Sequence, residues 1–240
     1  MAVIDWSKDE SVAVIKMINN TNKQNLEFSD QMNQILDNIL EDKDISSIVI
    51  TSSDEKNFSQ GVDVDWLTQK FNARDFDSIK SFLYGMNNIF KKFLLMPVPV
   101  IAAINGHAFG NGAILACACD FRFMKKDKGF FCFPEVDIGI AFFPGMIEFV
   151  RKAIPEYKFN EMKLSGRRVT AAELEEHHVI EKASQNQEEL MQDALKFAKE
   201  FKKNRAIFGE HKKRMHKKII EVIDKEDPKI IESLNLFVQG

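Results

Sequence analysis

The chain has 240 residues, 45% of them apolar and 29% charged, with a formal net charge of −3. That length suits one large domain with a sizeable core, and the balance is that of a globular protein, which sets aside fibrous and disordered classes. There is no global basic field of the kind a dedicated nucleic-acid binder carries, and the most apolar stretch, residues 93–104, holds two prolines and is too short to span a bilayer. Residues 1–10 carry four charges and no apolar run, so they read as neither signal peptide nor presequence. The expectation is a cytoplasmic protein with no membrane and no nucleic-acid partner.

In chain order, residues 12–18 read as a strand, the polar run 19–25 as a turn, and residues 29–40 as an amphipathic helix with one apolar face. A β-branched run at 45–50 predicts a second strand, followed by a polar loop at 51–60. Residues 63–71 and 76–95 predict two helices, the second stopped by Pro97 and Pro99. Residues 98–104 predict a buried strand, 106–112 a glycine-punctuated loop, and 113–119 an apolar helix. Short strands follow at 121–124 and 129–133, with Pro134 and Glu135 opening a turn. Three helices then read at 145–150, 157–164 and 171–177, the last after the cap-like Thr170. From residue 187 onward the chain reads as helical and heavily charged, without an internal repeat or a low-complexity linker.

The three cysteines, Cys117, Cys119 and Cys132, lie in apolar segments and fit reduced packing residues better than a disulfide framework. The five histidines make no HExxH pattern, and Cys117 with Cys119 lacks zinc-ligand spacing, so no metal is expected. Gly106, Gly110 and Gly112 do not have the spacing of a dinucleotide fingerprint, and no phosphate-loop GK[ST] occurs. Two loop-to-helix junctions stand out instead: Ser59, Gln60, Gly61, Val62 and Asp63, and Gly110, Asn111 and Gly112. Amides at a helix start have no partner within the helix and sit at its positive dipole end, so two converging junctions could hold an oxyanion.

Several ordered motifs then resemble one family. Residues 101–120, IAAINGHAFGNGAILACACD, are similar to the signature of the crotonase (enoyl-CoA hydratase/isomerase) superfamily. NFSQGVD at 57–63, FPEVDIGI at 133–140, Pro144-Gly145 and LSGRRVTAAE at 164–173 extend the likeness over about residues 12–180. The resemblance implies a crotonase-like α/β spiral of repeated β-β-α units over residues 1–185. It also implies a C-terminal helical region, 186–240, that takes part in assembling a homotrimer or a dimer of trimers. It places one oxyanion-hole amide at Val62 and one at Asn111, where family members usually have glycine. Ser59, Gln60, Gly61, Asp63, Gly110, Ile114 and Phe143 are the accompanying substrate-binding positions. Coenzyme A enters as part of an acyl-CoA thioester substrate, with no separate cofactor.

Of the two glutamates that a hydratase of this family uses to hold and activate water, the first falls on Ile114, which can do neither, and the second on Glu135. That pattern resembles the monofunctional Δ3,Δ2-enoyl-CoA isomerases, with Glu135 as the single acid/base. Hydration or another CoA-thioester reaction is the alternative, and a non-catalytic acyl-CoA or partner-binding module is the alternative of another class. If Ile138, Ile140, Phe142 and Phe143, with Phe130, Phe131 and Phe133, surround Glu135, desolvation raises its pKa. Phe142, Phe143 and Met146 could wall an acyl tunnel. Asp137 reads chiefly as a turn residue, Asp120 as structural and His107 as packing. The basic run from Lys202 to Lys218 reads as a solvated helix face before it reads as a site for coenzyme A phosphates.

Overall fold

The computed structural model describes residues 2–237. Strands β1 (Ile4–Asp9) and β2 (Val12–Met17) pair antiparallel, and β3 (Lys23–Gln24) precedes α1 (Leu26–Glu41) and β4 (Ser47–Ser52). The short strands β5 (Asn57–Ser59) and β6 (Gly61–Val62) lead into α2 (Val64–Asn72) and α3 (Phe76–Leu95). Next come β7 (Val100–Ile104), β8 (His107–Phe109), α4 (Asn111–Ala118), β9 (Phe121–Lys125) and β10 (Phe131–Cys132). A single 3-10 turn, Pro134–Val136, carries Glu135. The chain continues through α5 (Pro144–Ala153), α6 (Glu156–Ser165), α7 (Ala171–Glu176), β11 (Lys182–Ser184), α8 (Gln187–Lys199), α9 (Arg205–Lys225) and α10 (Asp227–Ser233).

Six strands make the main sheet in the order β1-β2-β4-β7-β9-β11, parallel except at the β1–β2 edge. A second, parallel sheet runs β10-β8-β5, and β3 pairs with β6. Up to residue 186 the longer helices match the sequence pattern within a few residues, and the region read only as helical beyond it forms α8, α9 and α10. The predicted loop at 51–60 holds β5, however, and the predicted glycine loop holds β8. Strands of two or three residues have too few positions for a periodic signal, and their pairing comes from neighbours distant in sequence. Strand β1 and strand β11 are likewise additions to the sequence reading.

The main sheet is covered on both faces, which is why its central strands β4 and β7 are buried along their whole length. Along β7, Val100, Ala102 and Ile104 join the core formed with α1, α3 and α4, whereas Ile101 and Ala103 pack with Leu190, Ala194 and Ala198 of α8. Strand β4 repeats this alternation, with Ile48 and Ile50 on one side and Val49 on the other. Helix α9 packs on α3 and α5, so the helices after residue 186 share the core of the preceding residues. Most of the basic run is a solvated face, with Lys202, Lys203, Lys213, Arg214, Lys217 and Lys218 exposed, and Arg205 and Lys212 are its two exceptions. Arg205 donates to the carbonyls of Leu40, Asp42 and Ile45, and Lys212 is buried.

Helix α4 is buried along its whole length, as an all-apolar helix must be. Just past its carboxyl end, Cys119 O accepts from Arg122 Nη1 and Lys152 Nζ, each at 2.9 Å. Cations there complement the negative end of the helix dipole. Burial pushes the Lys152 ammonium down to about 8. The adjacent Asp120 accepts from Val100 N at 2.8 Å and from Lys212 Nζ at 2.6 Å, which fixes the strand and α9 to this same point. Cys117 and Cys119 are free thiols pushed up to about 12 by burial, as packing residues are. Asp120→Ala leaves Lys212, 5% exposed at its side chain, without its counter-charge. The expected loss is about 3–5 kcal/mol in urea unfolding, with most of it recovered in Asp120→Ala/Lys212→Met.

Candidate active site

The two loop-to-helix junctions meet through glycine. Gly61 has φ +80°, and a Cβ there would lie 2.7 Å from Phe109 O and 2.9 Å from Asn111 N, both backbone atoms. Any side chain would force the crossing apart. Beyond it, Asp63 N donates to Gln24 O at 2.8 Å in the β3–β6 ladder. Alternate residues of a parallel strand point their amides to opposite edges, so the Val62 amide is turned away from β3.

Asn111 opens α4, and its amide belongs to the first turn, where no carbonyl of the helix itself can reach it. The unusual backbone falls on its neighbour: Gly110 has φ 53° and ψ −124°. The Asn111 side chain is committed elsewhere, with Nδ2 donating to Gln24 Oε1 at 2.6 Å. Gln24 Nε2 donates to Ser59 Oγ, and Ser59 Oγ to Asn22 O. This buried chain of amides and a hydroxyl ties both junctions to β3. Sequence reasoning missed Gln24 and Asn22, because a two-residue strand within a polar run looks like an ordinary turn.

Between the junctions and the 3-10 turn lies an apolar cavity of about 160 Å³. Gln60, Val62, Gly110, Asn111, Ile114, Glu135 and Phe143 line it, as do Phe142 and Met146. Ser59, Gly61 and Asp63, also expected as substrate-binding positions, are not in the wall of this cavity. Ser59 is sealed in the hydrogen-bond chain, Gly61 makes the backbone crossing, and Asp63 caps α2 by accepting from Trp66 N. Of the aromatic residues around the motif, Phe131 and Phe133 stack edge-on in the core, and Phe130 lies against His107. Asp137 also lies off the cavity, its carboxylate beside Gly166.

Leu236 and Phe237 contribute to the wall from the far end of the chain. Phe237 bridges antiparallel to Ile140 and meets Phe71 edge-on at 6.4 Å. Asp227, at the start of α10, accepts from Gly145 N at 2.9 Å and from Asn87 Nδ2 at 3.0 Å, which secures α10 to the start of α5 beside Phe143. Burial pushes the Asp227 carboxyl up to about 6. No local pattern in residues 227–237 signals a place in this wall.

Glu135 is 6% exposed, and its Oε2 is sealed from solvent without a hydrogen-bond partner. Its Oε1 faces Gly110, where a Cβ would come within 3.2 Å. Glycine at 110 therefore serves both the positive φ and the close approach of the carboxylate. Burial raises the Glu135 pKa, and Lys163, with Nζ 3.8 Å from Oε2, partly opposes that rise. Among the described residues lining the cavity, Glu135 is the only carboxylate.

The model of the enoyl-CoA hydratase/isomerase family matches residues 7–229. The chain belongs to that family. Carnitinyl-CoA dehydratase of Escherichia coli is 34% identical over 170 residues, which are 71% of this chain and 62% of that protein. The peroxisomal enoyl-CoA delta isomerase 2 of Arabidopsis thaliana is 32% identical over 145 residues, 60% of each chain. The chain thus spans about three-fifths of the length of these curated relatives. In fold it is similar to an enoyl-CoA hydratase from Bacillus halodurans, with a TM-score of 0.87 at 19% identity, covering 97% of this chain and 94% of that one. The crotonase-like architecture expected from the motifs is present. Among the described residues no helix is long and apolar enough to cross a membrane.

A carboxyl whose pKa is raised on folding contributes stability that is fully present below its unfolded pKa and lost as pH rises through the folded one. Glu135→Gln is therefore expected to raise the unfolding temperature at pH 7–8 and to leave it unchanged at pH 4. A rise of about 2–4 °C corresponds to roughly 1 kcal/mol in a chain of this size. A pH series of thermal melts on the two proteins measures it.

Proposed function

We propose that this enzyme isomerises a 3-enoyl-CoA to the conjugated 2-enoyl-CoA. The observation that carries the reading is the lone Glu135 in an apolar cavity, with Ile114 where a second carboxylate would be needed to activate water. Glu135 takes a proton from C2 of the bound thioester, breaking the C–H bond and forming a dienolate. The same carboxyl then returns the proton at C4, leaving a double bond between C2 and C3. The step is redox-neutral, and one base serves both ends of it.

The Val62 and Asn111 amides are the proposed donors to the enolate oxygen, and donors of this kind contribute about 3–4 kcal/mol each in comparable sites. Burial supports the role of Glu135, because a carboxylate stripped of water is a stronger base than one in solvent. Gln60, Gly110, Ile114 and Phe143 are the proposed substrate contacts, and coenzyme A arrives with the substrate. The second reading, dehydration or hydration of a CoA thioester, rests on the name of the Escherichia coli relative. Ile114 argues against it.

Purified protein supplied with 3-enoyl-CoA thioesters of several chain lengths is expected to form the conjugated product, followed by its ultraviolet absorbance. Glu135→Gln is expected to lower kcat by about 10²–10⁴ fold, the usual contribution of a positioned acid/base. Hydration of 2-enoyl-CoA at a rate equal to isomerisation, or retention of activity by Glu135→Gln, would overturn the reading.

A further inference from the structure

The carboxylate of Glu135 has its two oxygens in different surroundings. Oε1 faces Gly110 and the start of α4, whereas Oε2 is sealed and has no hydrogen bond. Behind Oε2, at 3.8 Å, stands the ammonium of Lys163, in the last turn of α6. That side chain is itself only 17% exposed, and its Nζ sits 3.7 Å from the centre of the Phe142 ring. Phe142 is part of the cavity wall, so the cation lies behind the wall, held by an aromatic face on one side and Glu135 on another.

We propose that Lys163 is the positioning residue for Glu135, drawing Oε2 to the back of the site so that Oε1 is presented to substrate, and keeping the carboxylate ionised between turnovers. The separation suits this task. At 3.8 Å the ammonium attracts the carboxylate without the hydrogen bond that would tie up Oε2 or hand it a proton. Burial alone makes Glu135 a stronger base but also favours its protonated, inactive form; a cation placed behind it restores the anion at working pH.

The charges of Lys158 and Glu161 on α6, of Arg167 on the loop after it and of Glu173 beyond are engaged with one another. On α5, Arg151 lies over Phe159. After the 3-10 turn, Asp137 sits beside Gly166, and on β10 the Cys132 thiol donates to Gly166 O. From α4 the cavity receives only Asn111 and apolar side chains.

The proposal rests on Glu135 being the working base, and its test does not need turnover. Full-length protein labelled with 13C at the glutamate carboxyl is titrated by NMR, with the Glu135 signal assigned by its loss in Glu135→Gln. Lys163→Met is expected to move that titration upward by about one pH unit or more, the effect of losing an opposite charge at this range. Lys163→Arg is expected to hold it near the wild-type position. In the isomerase assay, the acid limb of kcat moves upward by the same amount in Lys163→Met. A Glu135 titration unmoved in a folded Lys163→Met protein, whatever its melting temperature, overturns the proposal. If the titration moves but no CoA thioester is isomerised, the positioning role stands and the proposed reaction fails.

Discussion

The backbone of Gly61 crosses the first turn of α4 at a distance no side chain would permit, and the site follows from that crossing. It sets the amide of Val62 beside the opening of α4 and brings the second junction, led by Gly110, under the carboxylate of Glu135. The crossing is held from several directions. Gln24 and Ser59 bind the two junctions to β3, and Arg122 and Lys152 hold the opposite end of α4 by the carbonyl of Cys119 just beyond it. A helix that is apolar on all sides has no solvated face to orient it. Its position is set instead by polar contacts at its two ends.

The same economy places charge where it acts. Glu135 is buried among apolar side chains, an arrangement that costs stability and strengthens a base, and one cation, Lys163, faces it. Elsewhere the buried charges are structural: Asp120 and Lys212 neutralise each other, and Asp227 joins α10 to α5. The contrast lies in hydrogen bonding. The structural carboxylates accept from backbone amides, whereas Glu135 Oε2 accepts from nothing. A carboxyl held in that way is free to change its protonation state without breaking a fixed network.

The cavity wall draws on distant parts of the chain. Val62, Ile114, Phe143 and Phe237 come from four segments separated by tens of residues. The shape of the cavity depends on how the last helix and the residues after it are seated. Asp227 and the bridge between Ile140 and Phe237 therefore help set the shape of the wall.

The amino-acid sequence by itself determined the longer helices, because periodic burial over ten or more residues leaves a readable pattern. It also singled out Glu135, Gly110, Asn111 and Ile114, through the resemblance of its ordered motifs to a known family. Only the tertiary structure decided which junction residues reach the cavity. Ser59, Gly61 and Asp63 share a motif with Gln60 and Val62, yet pairing with β3 turns the first three into the framework and leaves the other two in the wall. It alone brought Lys163, Gln24 and Phe237 to the site. Each lies in a stretch whose own pattern describes an ordinary helix, turn or chain end, and the contact that gives it a role spans from about 30 to about 110 residues of sequence. Such contacts arise from how elements pack, which no local periodicity encodes.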